Sequence, residues 1–181
     1  MKFNFTMNRE DYLQYYLFNA SRNERLAKRR KRTRLFPLLL CIPLSVLYLY
    51  QDMLLPGLGF VVVSIVWYLM MPRFDGKMYQ RSFERFVDKH LKDDFGDKLS
   101  VELLGKDCIL KSRAGESRFS QSQIIEFFET GAYFFLFMDN GQSTAIPKNQ
   151  IENSDDLKRL FTEIVEANGG TVKEDQEWAW S

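Results

Sequence analysis

Few residues in this chain have types and spacing suited to chemistry. His90, the sole histidine, stands close to Asp93, Asp94 and Asp97, donor types that can hold zinc or calcium. The plainer reading is a polar helix end and its following loop, and that is the expectation here. Cys108 falls in a stretch that alternates like a strand, with no evident base to ionise it, so it reads as a packed thiol rather than a nucleophile. Pro147-Lys148 reads as a strand end. No phosphate-binding glycine loop, nucleophile elbow or paired metal motif occurs. The expectation is a protein without catalysis, cofactor or metal.

Cationic residues are more telling. Residues 1–50 hold ten Lys/Arg against three Asp/Glu, and the remainder reverses this, fifteen against twenty-one. Most of the excess is one run: Arg25, Lys28, Arg29, Arg30, Lys31, Arg32 and Arg34. Beside a bilayer such a run attracts anionic lipid at about 1 kcal/mol per residue near the surface. Alternatively, it acts only as a topology signal. Nucleic acid is not an expected partner, because the run abuts an apolar block. A second set, Lys106, Lys111, Arg113, Arg118 and Lys148, could form a basic rim for lipid headgroups. Residues 97–150 hold six basic and seven acidic side chains, so that rim has no net attraction for anions.

The element that must position the first set is the apolar block itself. Residues 35–50 and 53–71 are two apolar runs separated only by Gln51 and Asp52. A spanning helix needs about 20 apolar residues, with a lower limit of about 17. The second run meets this, and the first does so with Thr33 and Arg34 at the interface and the Arg34 side chain snorkelling outward. Each run carries ten Leu, Ile, Val or Phe, giving about −3 to −6 kcal/mol for insertion. Pro37 and Pro43 oppose this in one run, Pro56, Gly57 and Gly59 in the other. The pattern predicts a two-helix transmembrane hairpin over 35–71, with Pro56, Gly57 and Gly59 allowing close approach or starting the second helix. The alternatives are a re-entrant loop and a buried hairpin of a soluble protein. Lys and Arg flank both outer ends, including Arg73, Lys77, Arg81 and Arg85, which predicts that both termini are cytosolic. Tyr48 and Tyr50 would then mark the outer interface, Trp67 and Tyr68 the inner one. The N-terminus lacks the basic-then-apolar pattern of a cleavable signal. Cys41 and Cys108 lie in different environments, and no disulfide is expected.

Around the hairpin the expected cytosolic parts are residues 1–34, 76–170 and a tail, 171–181. Phe3, Phe5 and Met7 alternate as a short strand. Asn8 and Asp11 form an N-cap pair, opening one helix from Arg9 to about Arg34 whose apolar face covers the C-terminal domain or the lipid surface. Residues 76–91 read as a separate helix. Strands follow at 99–103, 108–111, 116–119, 124–129, 133–138 and 143–146, with turns at Gly105-Lys106-Asp107 and Asp139-Asn140-Gly141. Ser154 is expected to cap an amphipathic helix, 155–167, ended by Gly169-Gly170. This is an α+β arrangement: a small bent sheet or barrel with a C-terminal amphipathic helix. The tail carries Trp178 and Trp180 among acids and is expected to be mobile, or else docked on a partner or the domain.

Ile124-Ile125-Glu126, then Tyr133-Phe134-Phe135-Leu136-Phe137 and Ala145-Ile146-Pro147-Lys148, resemble the YcxB-like family of bacterial membrane proteins. The likeness extends over nearly the whole chain, including the opening strand and Asp11-Tyr12, and is most specific from Phe134 to Lys148. It departs at Gln121, where family members often carry a Trp. The resemblance implies a cytosolic domain similar to a pleckstrin-homology (PH) fold, and supplies no catalytic residues. Residues and resemblance together predict a two-pass protein of the inner or plasma membrane that presents a PH-like binding or scaffolding domain. Its partners would be membrane lipids, a protein at the cytosolic face, or further copies of itself. A headgroup sensor and a small subunit of an oligomeric transport assembly are the alternatives.

Overall fold

The computed structural model describes residues 2–113 and 115–180. The chain divides into two compact units: residues up to Tyr15 together with Phe86–Ala179, and Tyr16–Arg85 with Trp180. The division falls inside two helices, α1 (Arg9–Arg22) and α3 (Leu54–His90).

The first unit is built on two four-stranded sheets. Strands β1 (Lys2–Thr6), β2 (Lys98–Leu104), β3 (Asp107–Ser112) and β4 (Gly115–Ser120) form an antiparallel sheet in that order. The opening strand thus pairs with one almost a hundred residues later, Phe3 opposite Val101. Strands β5 (Ile124–Thr130), β6 (Tyr133–Met138), β7 (Ser143–Pro147) and β8 (Thr171–Asp175) form the second sheet, ordered β7-β6-β5-β8. β8 runs parallel to β5. Among the described residues the two sheets are separately hydrogen-bonded and do not close into a barrel.

The β6 sequence, Tyr-Phe-Phe-Leu-Phe-Met, lacks alternation because both of its faces are covered. Phe134, Phe135 and Leu136 are all buried. On one face Phe127 meets Phe134 at a tilt and stacks against Phe161 of α4 (Ser154–Ala167), with ring centroids 5.5 and 6.2 Å apart. On the other, the Tyr133 hydroxyl donates to Asp11 Oδ1 (2.8 Å) and the Tyr15 hydroxyl donates to the Ser143 carbonyl (3.0 Å). The start of α1 therefore lies on this sheet. Asp11 also accepts from the Asn8 amide (2.8 Å) while Asn8 Oδ1 accepts from the Asp11 amide (3.1 Å), the reciprocal cap expected from their spacing. Gln150 clamps the chain at Thr6, its Oε1 accepting from the Thr6 amide (2.7 Å) and its Nε2 donating to the Thr6 carbonyl (2.8 Å).

Helix α4 ends as Gly169-Gly170 predict. Gly169 adopts φ 69°, its amide donates to Glu166 O, and the Gly170 amide donates to Val165 O. The helix begins one residue earlier than expected: Asn153 occupies the cap position and Ser154 is already helical. The larger departure is β8. The expected tail instead adds a strand to β5, and the turn at Gly170 brings it there. A Cβ on Gly170 would collide with the Ile125 carbonyl.

In the second unit, the single helix expected over 9–34 breaks at Asn23. The Asn23 side chain caps a new helix, α2 (Glu24–Tyr50), by accepting from the Arg25 and Leu26 amides. Residues 76–91 do not form a separate helix either: α3 continues from the second apolar run through Pro72 as far as His90. Gln51 and Asp52 make the connection, Asp52 at φ 59°. Gly57 is the close-approach glycine, since a Cβ there would meet Leu49 at 2.8 Å, whereas Gly59 faces open space. Beside it the Ser45 hydroxyl donates to the Gly57 carbonyl (2.8 Å), and Tyr48 stacks on Phe60. Both helices are long and apolar enough to cross a membrane. In their most apolar windows only 6% and 11% is buried, the reverse of a soluble core helix.

Candidate functional site

Helical spacing sorts the seven cations of the basic run into two groups. Arg25, Lys28, Arg29, Lys31 and Arg32 are exposed, whereas Arg30 and Arg34, four residues apart on one face of α2, are half-buried. The Arg34 guanidinium lies over the Tyr68 ring of α3, 3.8 Å from its centroid, and Arg30 lies over Trp180 at 5.4 Å. The Trp180 indole N–H donates to the Gly76 carbonyl (2.9 Å) and its ring meets Tyr79 edge-on. Trp180 is thus docked on the chain itself. Ala27, Arg30, Lys31, Arg34, Leu35, Tyr68, Pro72 and Asp75 line a cleft of about 400 Å³ between α2 and α3. Asp75 is 5% exposed. The sequence showed that these residues were cationic, but not which of them turn inward, because the helix break at Asn23 resets the face.

The second basic set is divided between the two sheets. Lys106 is exposed in the β2–β3 turn and Arg118 is exposed on β4. Lys111 and Lys2 both bind Glu102, at 2.9 and 2.8 Å, a ladder across three strands. Hydrogen bonds from these lysines, that from Lys2 foremost, hold the Glu102 carboxyl down to about 2. Arg113 lies 3.8 Å from Asp97. Lys148 belongs to the other sheet and is largely covered. Its ammonium binds Glu129 (2.5 Å) and lies over the Phe134 ring.

Glu129 is the centre of a network that the sequence reading did not single out. It is 6% exposed and accepts from Lys148 and from Lys158 of α4 (2.6 Å), which also binds Glu174 of β8 (2.6 Å). Lys173 of β8 binds Glu126 (2.9 Å). Burial works to raise the Glu129 pKa, but the two lysines outweigh it and hold the carboxyl below its usual range. The signal was faint: Glu129 is an acid at a position that faces inward on a strand, and its partners are distant in sequence.

The residues weighed for catalysis lie apart. His90 is exposed, its Nδ1 3.1 Å from the Phe86 carbonyl and its ring stacked on Phe86. Among the described residues no three His, Cys, Asp or Glu side chains gather as metal ligands. Cys108 is fully buried, and burial, reinforced by Asp107, pushes its thiol up to about 12. Burial and the Asp11 carboxylate push the Tyr133 phenol up, so it stays protonated and donates. Gln121 ties the β2–β3 turn: its Nε2 donates to the Gly105 carbonyl (2.9 Å) and its amide to Lys106 O (2.8 Å).

Residues 105–164 match the family model described as YcxB-like protein. The matched segment runs from the β2–β3 turn into α4 and includes Phe134 to Lys148; the apolar helices and β1 lie outside it. No curated protein and no solved structure matches the chain.

Proposed function

With the YcxB-like segment as premise, we propose that this chain is a two-pass membrane protein whose α2 and α3 cross the bilayer. Both chain ends face the cytosol, and the sheet unit serves as a PH-like binding or scaffolding module for a protein at the inner membrane face. The observation that carries the reading is the exposure of the apolar side chains on both helices, Leu39 at 73% and Leu55 at 87% among them. In water such a surface is an unburied core, and in lipid it is at home. The flanking cations favour cytosolic ends by the positive-inside bias. The PH-like reading draws on the two sheets, with α4 between β7 and β8, and on the family resemblance. A binding rather than catalytic role, without cofactor or nucleic acid, accords with the ion pairing of the domain's charged groups and the burial of Cys108.

Alkaline carbonate extraction of membranes tests the spanning helices; the chain is expected in the pellet, and its release into the wash would end the reading. For topology, Gln51→Cys in a Cys41→Ser background should react with an impermeant thiol reagent from outside intact cells. Crosslinking in intact membranes, followed by affinity capture, tests the binding role, and recovery of only the chain itself and bulk proteins would count against it.

A further inference from the structure

The cleft between α2 and α3 is a more specific feature than a basic run. Three of its lining side chains, Arg30, Lys31 and Arg34, are cationic and one, Asp75, is acidic, so the lining carries net positive charge. Arg34 is fixed at its mouth by Tyr68: a guanidinium held over a ring face keeps its edge N–H groups for other acceptors. Its Nε is buried and has no hydrogen-bond partner among the described residues, whereas buried guanidinium donors are normally satisfied. Arg30 stands one turn before it on the same face, the spacing at which two guanidiniums can share one anion. Leu35 and Pro72 carry the lining into apolar surface, and both apolar runs end at this level of their helices.

We propose that this cleft binds the phosphoryl group of an anionic phospholipid, with Arg30 and Arg34 as its donors and the acyl chains lying along the apolar surface beginning at Leu35. This deepens the proposed function and rests on its spanning helices, which set Arg34 and Tyr68 at headgroup depth. A free phosphate offers the same oxygens but gains nothing from the apolar wall. The four exposed cations outside the cleft, Arg25, Lys28, Arg29 and Arg32, attract the leaflet diffusely, and the cleft selects one headgroup from it.

The test uses the full-length chain in nanodiscs of phosphatidylcholine with or without phosphatidylglycerol, and counts retained lipid by native mass spectrometry. Arg30→Gln with Arg34→Gln is expected to lower phosphatidylglycerol retention by on the order of 10-fold, since charge-assisted hydrogen bonds are lost. Arg25→Gln with Arg29→Gln removes the same charge outside the cleft and should leave retention nearly unchanged. Equal loss in both double variants would overturn the cleft in favour of diffuse attraction. Displacement of the lipid by inorganic phosphate would overturn the lipid as ligand. A photoreactive phosphatidylglycerol on the unaltered chain, which needs no variant to fold, should label the segments 27–35 and 68–75; labelling confined elsewhere would overturn the proposal. Release of the chain by carbonate would instead mean that the spanning reading had failed. Retention of the chain in membranes with labelling elsewhere would remove only this inference.

Discussion

The two units of this chain put the same kind of side chain to opposite use. In the sheet unit the large apolar residues, Phe127, Phe134, Phe135 and Phe161, are turned inward and fully covered. Charged groups there pair in ladders such as Lys2–Glu102–Lys111. In the helical unit, Leu39, Leu55, Val62 and Leu69 point outward. There α2 and α3 meet closely at Ser45 and Gly57 and gather charge around Arg34. A hydrophobic core is defined by what it is hidden from, and under the proposed function the two units answer to different solvents. One excludes water; the other would sit in a medium that already does.

The contrast can be broken most sharply by truncating one large apolar side chain on each side. Phe161→Ala removes a ring buried against Phe127, and should destabilise the sheet unit by about 3–5 kcal/mol. Leu39→Ala, at an exposed position of α2, should change the unfolding free energy by no more than about 0.5 kcal/mol. Denaturant unfolding of the full-length chain in mild detergent, read for each variant, gives both values. Comparable losses would mean that α2 buries Leu39 against something, and the division of the molecule by solvent would no longer hold.

A smaller effect sharpens the account of how the sheet unit is closed. Gly170→Ala places a methyl group against the Ile125 carbonyl and within 2.8 Å of Val165 Cγ1, so β8 or α4 must shift. Overpacking of this kind costs about 1–3 kcal/mol. Hydrogen exchange should report it locally, as lost protection in β8 and in the β5 amides that face it. Loss of protection through the whole second sheet would show that β8 is integral to the fold rather than an added edge.

How much of this was legible in the sequence depended on how local the determining interaction is. Within 98–147, β2 follows from period-two alternation and the hairpins from glycines in turns, Gly105 and Gly141 both adopting positive φ, whereas β6 shows only as a short apolar run between turns. The cap at Asn8 and the stop at Gly169-Gly170 are also local, and they fell where their residue types predicted. β8 was not legible, because Thr171–Asp175 is mostly polar and its stability comes from pairing with β5 and from Lys158 and Lys173 reaching acids far away in sequence. The fusion of residues 76–91 with the second apolar run is not legible because the apolar pattern stops at Met71, whereas α3 continues through Pro72 and Gly76. In the candidate site the basic residues were plain as a composition. Their division into exposed and inward cations needed the phase of α2, which Asn23 sets. The family resemblance extends over nearly the whole chain, whereas the family model matches the narrower segment 105–164.

The smallest expected effect concerns the charged surface of the sheet unit. Lys2 and Lys111 hold the Glu102 carboxyl at about 2, below its ordinary value of 4.5. A carboxyl whose pKa is lower folded than unfolded binds fewer protons in the native state, so stability rises with pH across that interval. Its contribution is complete above the unfolded value and is lost as pH falls from about 4.5 towards 2. Glu102→Gln should remove that part of the acid dependence and leave the stability difference between neutral pH and pH 5 unchanged. The pair lies at the surface, so added salt should shrink the effect in the parent chain and have little to act on in the variant. Unfolding midpoints of both chains across this pH range, at low and high salt, are the measurement. An acid profile that survives the substitution would assign it to another carboxylate, and Glu129, buried between two lysines, would be the next to replace.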